Sequence, residues 1–207
     1  MRTRRSMIHA GSALLLIAAL AACGGGTGRS AAASGQTAAR APSPPPTPKE
    51  TNPPGDIPDS QVFVPFTAAG GLFTVKVPEG WARSQSGPAT VFTDKLNTVR
   101  VEARPAASAP TVASARATEL AQIRSSTPGF TPGDVTVVQR KAGPAVRITY
   151  RAQSPANPVT GKTIQDAVER YEFWKAGNEA ILTLSGPVGA DNVDPWRLVT
   201  DSLRWQR

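Results

Sequence analysis

The segment 73–81 has the sequence Phe-Thr-Val-Lys-Val-Pro-Glu-Gly-Trp, and its alternation decides the fold expected for this chain. Phe73, Val75 and Val77 alternate with polar residues, which predicts a β-strand with one buried face. The turn at 78–80 then brings the indole of Trp81 to the core. Similar short apolar or β-branched runs recur towards the C-terminus, separated by Gly and Pro. We therefore expect a domain built mainly from antiparallel strands.

Seven further strands and two helices are predicted around this segment. The strands are expected at 63–66, 90–93, 98–103, 135–140, 144–151, 166–175 and 179–185. The first helix begins at Thr111, which can cap it, with an apolar stripe at positions 112, 113, 117, 120 and 123. The second begins at Asp194 and Pro195 and buries Trp196, Val199 and Leu203. The predicted fold class is α+β, with a largely antiparallel sheet of about six to seven strands packed with two helices.

The first 58 residues differ in composition from the strand-rich part. Residues 1–22 combine three arginines near the start with an apolar run at 13–20, which fits a secretory signal peptide better than a spanning helix of about 20 residues. Residues 23–58 are rich in Gly, Ser, Ala and Pro, which predicts a disordered linker. Residues 59–207 then form one folded domain, which is long enough to bury its own core.

Cys23 is the only cysteine of the chain, and it follows Leu20, Ala21 and Ala22 where the apolar run ends. This segment resembles the lipobox of bacterial lipoproteins. The resemblance implies that the thiol of Cys23 receives a diacylglyceryl group and that the chain is cleaved between Ala22 and Cys23. The lipid, with palmitate-type acyl chains, would anchor the protein to the extracytoplasmic face of the cell membrane. An ordinary secretory signal with an incidental cysteine is the alternative.

The folded domain resembles the PsbP/Mog-like superfamily, which is named for a photosystem extrinsic protein and a Ran-binding protein. The resembling features are the segment 73–81, the single helix after the first strands, the long run of strands, and a terminal helix that ends in Asp-Ser-Leu-Arg-Trp at 201–205. The chain is also similar to actinobacterial lipoproteins that carry such a domain. The resemblance implies a PsbP/Mog-like sandwich, and no functional residue is carried over from it.

Charge and composition argue against two large classes of function. The net charge is +8, but residues 59–207 hold 17 Lys and Arg against 13 Asp and Glu, and the basic residues are scattered, so no nucleic-acid partner is expected. The single histidine, His9, lies in the predicted signal peptide, and Cys23 would be alkylated. Without imidazole or thiolate, triad-type catalysis and His-based metal sites are excluded. We expect no enzymatic activity, no cofactor and no metal.

Three weaker alternatives remain open on the residues alone. The segment Gly-Lys-Thr at 161–163 is a fragment of a phosphate loop, but it lacks the first glycine and fits a hairpin turn. Glu169 and Glu172 could serve a carboxylate-based hydrolase, although their spacing places them on opposite faces of a strand. Asp191, Asn192 and Asp194 could bind Ca²⁺, although they supply too few ligands for a calcium loop.

Two aromatic and two basic residues are the candidates for a partner surface. Tyr171 and Trp174 alternate to opposite faces of one predicted strand, and aromatic side chains at an interface are common anchors. Arg147 and Arg151 share one face of the preceding strand and could bind an acidic ligand. The competing interpretation is that the aromatic residues fill the core and that the arginines are solvated.

The leading functional hypothesis is a membrane-tethered, non-catalytic binding or assembly module of the cell envelope. Its partners would be the membrane, through the lipid on Cys23, and an envelope protein or a cell-wall component. The alternative is a carrier of a small molecule or lipid, or a weak hydrolase, that uses a pocket between the sheet and the helices.

Overall fold

A computed structural model describes residues 53–157 and 159–206 of the chain. The predicted signal peptide, the lipidation site at Cys23 and most of the predicted linker lie outside these residues. In chain order the strands are β1 (Phe63–Thr67), β2 (Phe73–Pro78), β3 (Ala82–Ser86), β4 (Ala89–Asp94), β5 (Asn97–Pro105), β6 (Thr131–Arg140), β7 (Gly143–Gln153), β8 (Gln165–Lys175), β9 (Asn178–Pro187) and β10 (Arg204–Trp205). Helix α1 (112–126) lies between β5 and β6, and helix α2 (Val193–Asp201) lies between β9 and β10.

The strands form two antiparallel sheets. The large sheet has seven strands in the order β3-β4-β5-β9-β8-β7-β6, and the small sheet has the order β1-β2-β10. The α+β class with a largely antiparallel sheet and two helices is confirmed. Neither β3 nor β10 was predicted: all five residues of β3 are exposed, and β10 is only two residues long, so neither shows an alternating apolar pattern.

The main core lies between the small sheet and α2 on one side and the large sheet on the other. Phe73, Val75 and Val77 of β2 are buried in it, as their alternation predicted. The predicted stripe of α2 is also buried there, and Trp205 packs edge to face on Phe73, with ring centroids 5.8 Å apart. We call this side of the large sheet the α2 face.

Helix α1 covers the opposite side of the large sheet, which we call the α1 face. It runs through three consecutive segments, Val112–Ser114, Ala115–Glu119 and Leu120–Ser126, and the middle one has π-helical hydrogen bonding. Thr111 caps it as predicted, by accepting a hydrogen bond from the Ser114 backbone N–H. The predicted stripe is partly wrong, because the wider π turn brings Ala115, and not positions 113 and 117, onto the buried side with Leu120.

The N-terminal boundary of the folded part lies a few residues before the predicted position 59. Ile57 is only 5% exposed, and its backbone N–H donates to Asn192 Oδ1 over 2.8 Å. The Asn192 side chain in turn donates to the Gly55 carbonyl and to Asn97 Oδ1. Because these bonds fix Gly55 to Ile57 beside the first turn of α2, these residues belong to the domain and not to the linker.

The start of α2 also differs from the prediction. The helix begins at Val193, with Asn192 at the N-cap position, so Pro195 is the third helical residue and not the first. Asn192 makes no capping hydrogen bond with its side chain, because the amide holds Gly55, Ile57 and Asn97 instead.

Candidate functional site

A groove lies on the α2 face, between strands β7 and β8 and the first turns of α2. Its volume is about 420 Å³. The residues that line it come from strands β6 to β9, from α2 and from the loop between β9 and α2, and they are Arg140, Arg147, Ala167, Glu169, Tyr171, Pro187, Ala190, Asn192, Val193, Trp196 and Arg197. We call it the sheet–α2 groove.

The side chains of the groove reach it through the two-residue period of the strands. Arg147 of β7 and Tyr171 of β8 are direct register partners, and Glu169 precedes Tyr171 by two positions, so all three point to the α2 face. Trp196 comes from the buried stripe of α2 on the opposite wall. The groove is therefore positioned by regular elements on both sides, which hold its side chains in fixed directions.

A chain of hydrogen bonds crosses the floor of the groove. Arg140 Nη2 donates to the Tyr171 hydroxyl over 2.9 Å, and this hydroxyl donates to Glu169 Oε2 over 2.5 Å. Arg140 also lies over the Tyr171 ring, 5.0 Å from its centroid. Burial raises the pKa of the Tyr171 phenol, and the hydrogen bond to Glu169 raises it further, while Arg140 opposes the rise. Tyr171 is therefore held protonated, as the donor to Glu169.

Two buried N–H donors that line the groove have no hydrogen-bond partner among the described residues. They are the Nε of Arg147 and the Nε1 of Trp196. Trp196 is 8% exposed, so its indole N–H is nearly shielded from bulk water. A buried donor without a partner costs roughly 1–3 kcal/mol, and most native structures avoid it. Both donors belong to residues that line the groove, so a side-chain shift that exposed them would offer them to a ligand atom.

The groove carries more positive than negative charge. Three arginines line it, whereas Glu169 is the one carboxylate among its described lining residues. Arg140 is fixed, because its Nε donates to Thr200 Oγ1, its Nη1 to the Gln139 carbonyl and its Nη2 to Tyr171. Arg197 is largely exposed, and Asp201 lies 3.7 Å from it and 3.8 Å from Arg140. Arg147 differs in that one of its donors, Nε, is buried without a partner among the described residues, while its Nη1 lies 3.7 Å from Glu169 Oε1.

The four residues predicted as a partner surface are not brought together. Tyr171 is 1% exposed and Trp174 is half-buried on the α1 face, where its Nε1 donates to the Ala106 carbonyl over 2.9 Å. The prediction of Tyr171 as an exposed anchor is wrong, because its side of β8 is covered by α2. Arg147 shares the groove with Tyr171, and Arg151 is exposed and lines an adjoining cavity of about 390 Å³ that also contains Trp196.

The α1 face holds a cluster of ion pairs instead of a groove. Arg104 pairs with Glu179 over 2.6 Å and with Glu119 over 3.1 Å. Arg170 pairs with Glu172 over 2.7 Å and with Glu119 over 3.4 Å. Glu119 of α1 thus joins two arginines from separate strands, and we call these five residues the α1-face ion cluster.

The weaker sequence candidates do not form sites among the described residues. The segment 161–163 lies in the connection between β7 and β8, where Gly161 donates its N–H to the Asn157 carbonyl in a turn. Asn192 is occupied by Ile57 and Asn97, and the Asp191 N–H donates to Asp56. Within 53–157 and 159–206, no group of three or more Cys, His, Asp and Glu is placed to hold a metal ion, and no helix has the length and apolar character needed to span a membrane.

No protein-family model matches the chain, and no curated protein matches it. Among solved structures it is similar to the cyanobacterial PsbP of Synechocystis, with a TM-score of 0.48 and 11% identity over 73% of this chain and 98% of that one. The Saccharomyces cerevisiae Ran-binding protein Mog1p gives a TM-score of 0.43 and 11% identity, covering 70% of this chain and 96% of Mog1p.

Mycobacterium tuberculosis LpqN, described as involved in cell envelope biogenesis, gives a TM-score of 0.43 and 14% identity over 72% of this chain and 93% of LpqN. A longer Bacteroides thetaiotaomicron chain is also similar, with a TM-score of 0.45 and 14% identity over 69% of this chain, and this chain spans 48% of it. These likenesses concern the fold alone.

Sequence reasoning missed Arg140, Trp196 and Arg197 as groove residues. Trp196 was assigned to the core, correctly, but the missing partner of its indole N–H depends on tertiary geometry that no local pattern shows. The one available indication was the mixed character of β8, in which neither face is purely apolar. A charged residue on a buried strand face needs a partner, and here that partner lies on another element.

Proposed function

We propose that this chain is a membrane-tethered, extracytoplasmic binding module without catalytic activity, and that its ligand occupies the sheet–α2 groove. The observation that carries the proposal is the pair of buried, unpartnered donors, Arg147 Nε and Trp196 Nε1, on the walls of one cavity. A ligand that supplied acceptor atoms there would remove a cost that the protein bears without it. Ligand sites commonly combine apolar and aromatic walls with a few polar groups, and Trp196, Tyr171, Ala167 and Pro187 supply such walls.

The chemistry of the groove supports binding and not catalysis. Glycoside hydrolysis, for example, usually needs a pair of carboxyl groups, and Glu169 is the one carboxylate among the described residues of the groove wall. Its Oε2 already accepts a hydrogen bond from the Tyr171 hydroxyl, and its Oε1 lies 3.7 Å from Arg147 Nη1. The two carboxylates that the sequence offered for a hydrolase, Glu169 and Glu172, lie on opposite faces of β8, because they are three positions apart on one strand.

The position of the N-terminal segment supports a tethered module. Gly55 to Ile57 are fixed beside Asn192, which itself lines the groove. The predicted linker and the lipid on Cys23 precede this segment, so a tether would join the domain next to the groove. Replacement of Cys23 by Ala tests the anchor: the variant should leave the membrane fraction, and retention there would contradict the proposal.

A thermal-shift screen with lipids, sugars and cell-wall fragments tests the groove. A ligand present at about 100 times its Kd should stabilise the folded state by about 2.7 kcal/mol, which corresponds to several degrees in Tm for a domain of this size. Ala190→Trp places a large side chain on the groove wall and should abolish the shift. Val188→Trp is the matched control, because Val188 lies on the same loop, is 40% exposed and does not line the groove.

Cross-linking of the lipidated protein in membranes separates the two forms of ligand. If the ligand belongs to an envelope protein or wall polymer, wild type and Val188→Trp should enrich it over a spacer-only control, and Ala190→Trp should not. If the protein instead carries a free small molecule or lipid, the thermal shift persists without cross-linked partners. Absence of both results would refute the proposed function.

A further inference from the structure

The unpartnered groups of the sheet–α2 groove define the chemistry of the ligand they would receive. We propose that the groove binds an anionic oxygen group, a carboxylate or a phosphate, and that Arg147 Nε and Trp196 Nε1 donate hydrogen bonds to it. The inference rests on the proposed function, because it names the ligand class for that site.

The first argument is that both of the unpartnered groups are hydrogen-bond donors. An indole has one N–H and accepts nothing, and a guanidinium has N–H groups but no acceptor. The complementary ligand atoms must therefore be acceptors, and oxygen atoms of a carboxylate or phosphate offer several lone pairs at once. An alcohol or amine ligand would satisfy these donors less fully.

The second argument is that an acceptor from the protein does not fill the place. Glu169 is the nearby acid, but its Oε2 already accepts from Tyr171, and its Oε1 lies 3.7 Å from Arg147 Nη1, which is longer than a hydrogen bond. The Nε edge of Arg147 is left for another group. Since guanidinium groups pair well with carboxylates and phosphates in two-point contacts, Arg147 suits an anion better than a neutral carbonyl.

The third argument is the charge that surrounds the two donors. Arg140 is held in place by Thr200, Gln139 and Tyr171, so its positive charge stays at the groove without the entropy cost of ordering a free side chain. With Arg147 and Arg197 the lining carries three cations. Glu169 and Asp201, which lies within 4 Å of Arg140 and Arg197, supply two carboxylates, so one positive charge remains in excess. A negative ligand would balance this charge, whereas a cationic ligand would be repelled.

The volume of the groove sets the scale of the ligand. A cavity of about 420 Å³ is much larger than one phosphate ion and lies in the range typical of small-molecule sites. Trp196, Pro187 and Ala190 supply apolar surface beside the donors. The ligand class is therefore a small molecule, or an exposed part of a larger one, that bears an acidic group on an apolar body.

The test uses the indole signals of the full-length, ¹⁵N-labelled chain, which has four tryptophans. Inorganic phosphate and acetate are titrated separately, with sodium chloride and acetamide as controls at matched ionic strength. We expect the Trp196 Nε1–H resonance, assigned from its loss in Trp196→Phe, to shift saturably with phosphate or acetate. The resonances of Trp81, Trp174 and Trp205 should stay in place. The stronger of the two probes shows whether the acidic group is a phosphate or a carboxylate.

Variants then assign the donors. Arg147→Gln should weaken binding of the stronger probe roughly tenfold to a hundredfold, because a hydrogen bond to a charged group is lost. Lys162→Gln is the charge-matched control, since Lys162 is exposed in the connection between β7 and β8 and lines neither the groove nor the adjoining cavity, and it should change the Kd by less than about threefold, the size of a screened surface charge effect. Unfolding midpoints close to wild type would show that both variants remain folded.

Three outcomes would overturn the inference. In the first, neither anion shifts the Trp196 signal while a neutral compound from the thermal screen does, which would leave the proposed function standing and reject the anionic class. In the second, Arg147→Gln and Lys162→Gln weaken binding equally, which would show general charge attraction and no built site. In the third, neither anions nor screened compounds act at the groove, which would reject both proposals.

Discussion

The two faces of the large sheet differ in the kind of buried polar atom that lacks a partner among the described residues. On the α1 face these atoms are side-chain oxygens, of Asp166, Glu172 and Thr183, whereas on the α2 face they are N–H donors. On the α1 face, the two arginines of the α1-face ion cluster are paired with three glutamates within the chain. On the α2 face, Arg147 and Trp196 keep buried donors without partners beside a cavity. One strand, β8, supplies residues to both sides, with Arg170 and Glu172 on the first and Glu169 and Tyr171 on the second.

This difference separates structural charge from charge that is available for binding. The arginines of the α1 face contact several carboxylates at short distance, so their charges are used to hold α1 and three strands together. Arg147 on the α2 face contacts one carboxylate at long range and keeps its Nε edge free. Counting arginines on a strand therefore says little about binding, and counting their unfilled donors says more.

The largest effect is expected from breaking the ion cluster at Arg170. Glu172 is fully buried, and burial raises the pKa of its carboxyl while Arg170 opposes the rise. Arg170→Met would leave this acid without its nearest cation, at a cost of about 3–5 kcal/mol in the free energy of unfolding. Urea unfolding should show a smaller loss at pH 5 than at pH 8, because a buried carboxyl can take up a proton at lower pH.

Two further variants check the origin of that loss. Arg170→Met combined with Glu172→Met should recover most of the stability, since no buried charge then remains unpaired. Arg100→Met removes a more exposed pair with Glu102 on the same face and should cost less than about 1 kcal/mol. Equal losses for Arg170→Met and Arg100→Met would contradict the distinction between the cluster and an ordinary surface pair.

An intermediate effect is expected at Asp166, an acid of the α1 face that the cluster does not include. Burial raises the pKa of Asp166 from 3.8 to about 6. The folded state thus binds the proton of Asp166 more tightly than the unfolded state, so the contribution of this group to stability is fully present below about pH 4 and is lost as the pH rises through 6. Asp166→Asn should remove this dependence and raise stability at pH 8 by on the order of 1–3 kcal/mol.

Thermal unfolding across pH 4–8 measures this effect. The difference between Asp166→Asn and wild type should be near zero at pH 4 and largest at pH 8. Asp134→Asn on β6 is a control, because Asp134 is exposed, and its curve should follow that of wild type. A constant difference at every pH would assign the effect of Asp166→Asn to packing and not to ionisation.

The smallest effect is expected when the indoles of Trp174 on the α1 face and Trp196 on the α2 face are each replaced by Phe and the two losses are compared. Trp174 donates to the Ala106 carbonyl, whereas Trp196 Nε1 has no partner among the described residues. Replacement by Phe removes a made hydrogen bond only at Trp174, so Trp174→Phe should cost about 1 kcal/mol more than Trp196→Phe in urea unfolding. A larger loss for Trp196→Phe would indicate that its N–H is satisfied in solution and would weaken the case for the groove.

Much of the fold follows from local patterns, and most of the site does not. The alternation in β2 and the caps and turns around α1 predicted elements that the structure contains, because one buried face imposes its period on the sequence. Strand β3 has no buried face, so its sequence shows no alternation of apolar and polar residues from which a strand could be predicted. The π turn in α1 changes which residues face the sheet, because its backbone hydrogen bonds span five residues and not four. The spacing of apolar residues in the sequence did not predict this change.

The site depends on distant residues that meet only in the folded chain. Arg147 and Tyr171 were singled out from the sequence, and the groove does contain both, but Tyr171 is a buried donor and not an exposed anchor. Arg140 and Thr200 are 60 positions apart, and their hydrogen bond fixes one wall of the groove. Which donors remain unfilled is decided by such long-range contacts and not by spacing along the chain.

The Asn192 side chain links the N-terminal segment to the start of α2, so a force on one would be transmitted to the other. The side chain accepts from the Ile57 N–H and donates to the Gly55 carbonyl, and Asn192 itself is the N-cap residue of α2. Tension applied to the chain ahead of residue 53 would therefore act first on these hydrogen bonds, at the edge of the groove. A pull of that kind would strain the wall that carries Trp196 before it reached the strands of the large sheet.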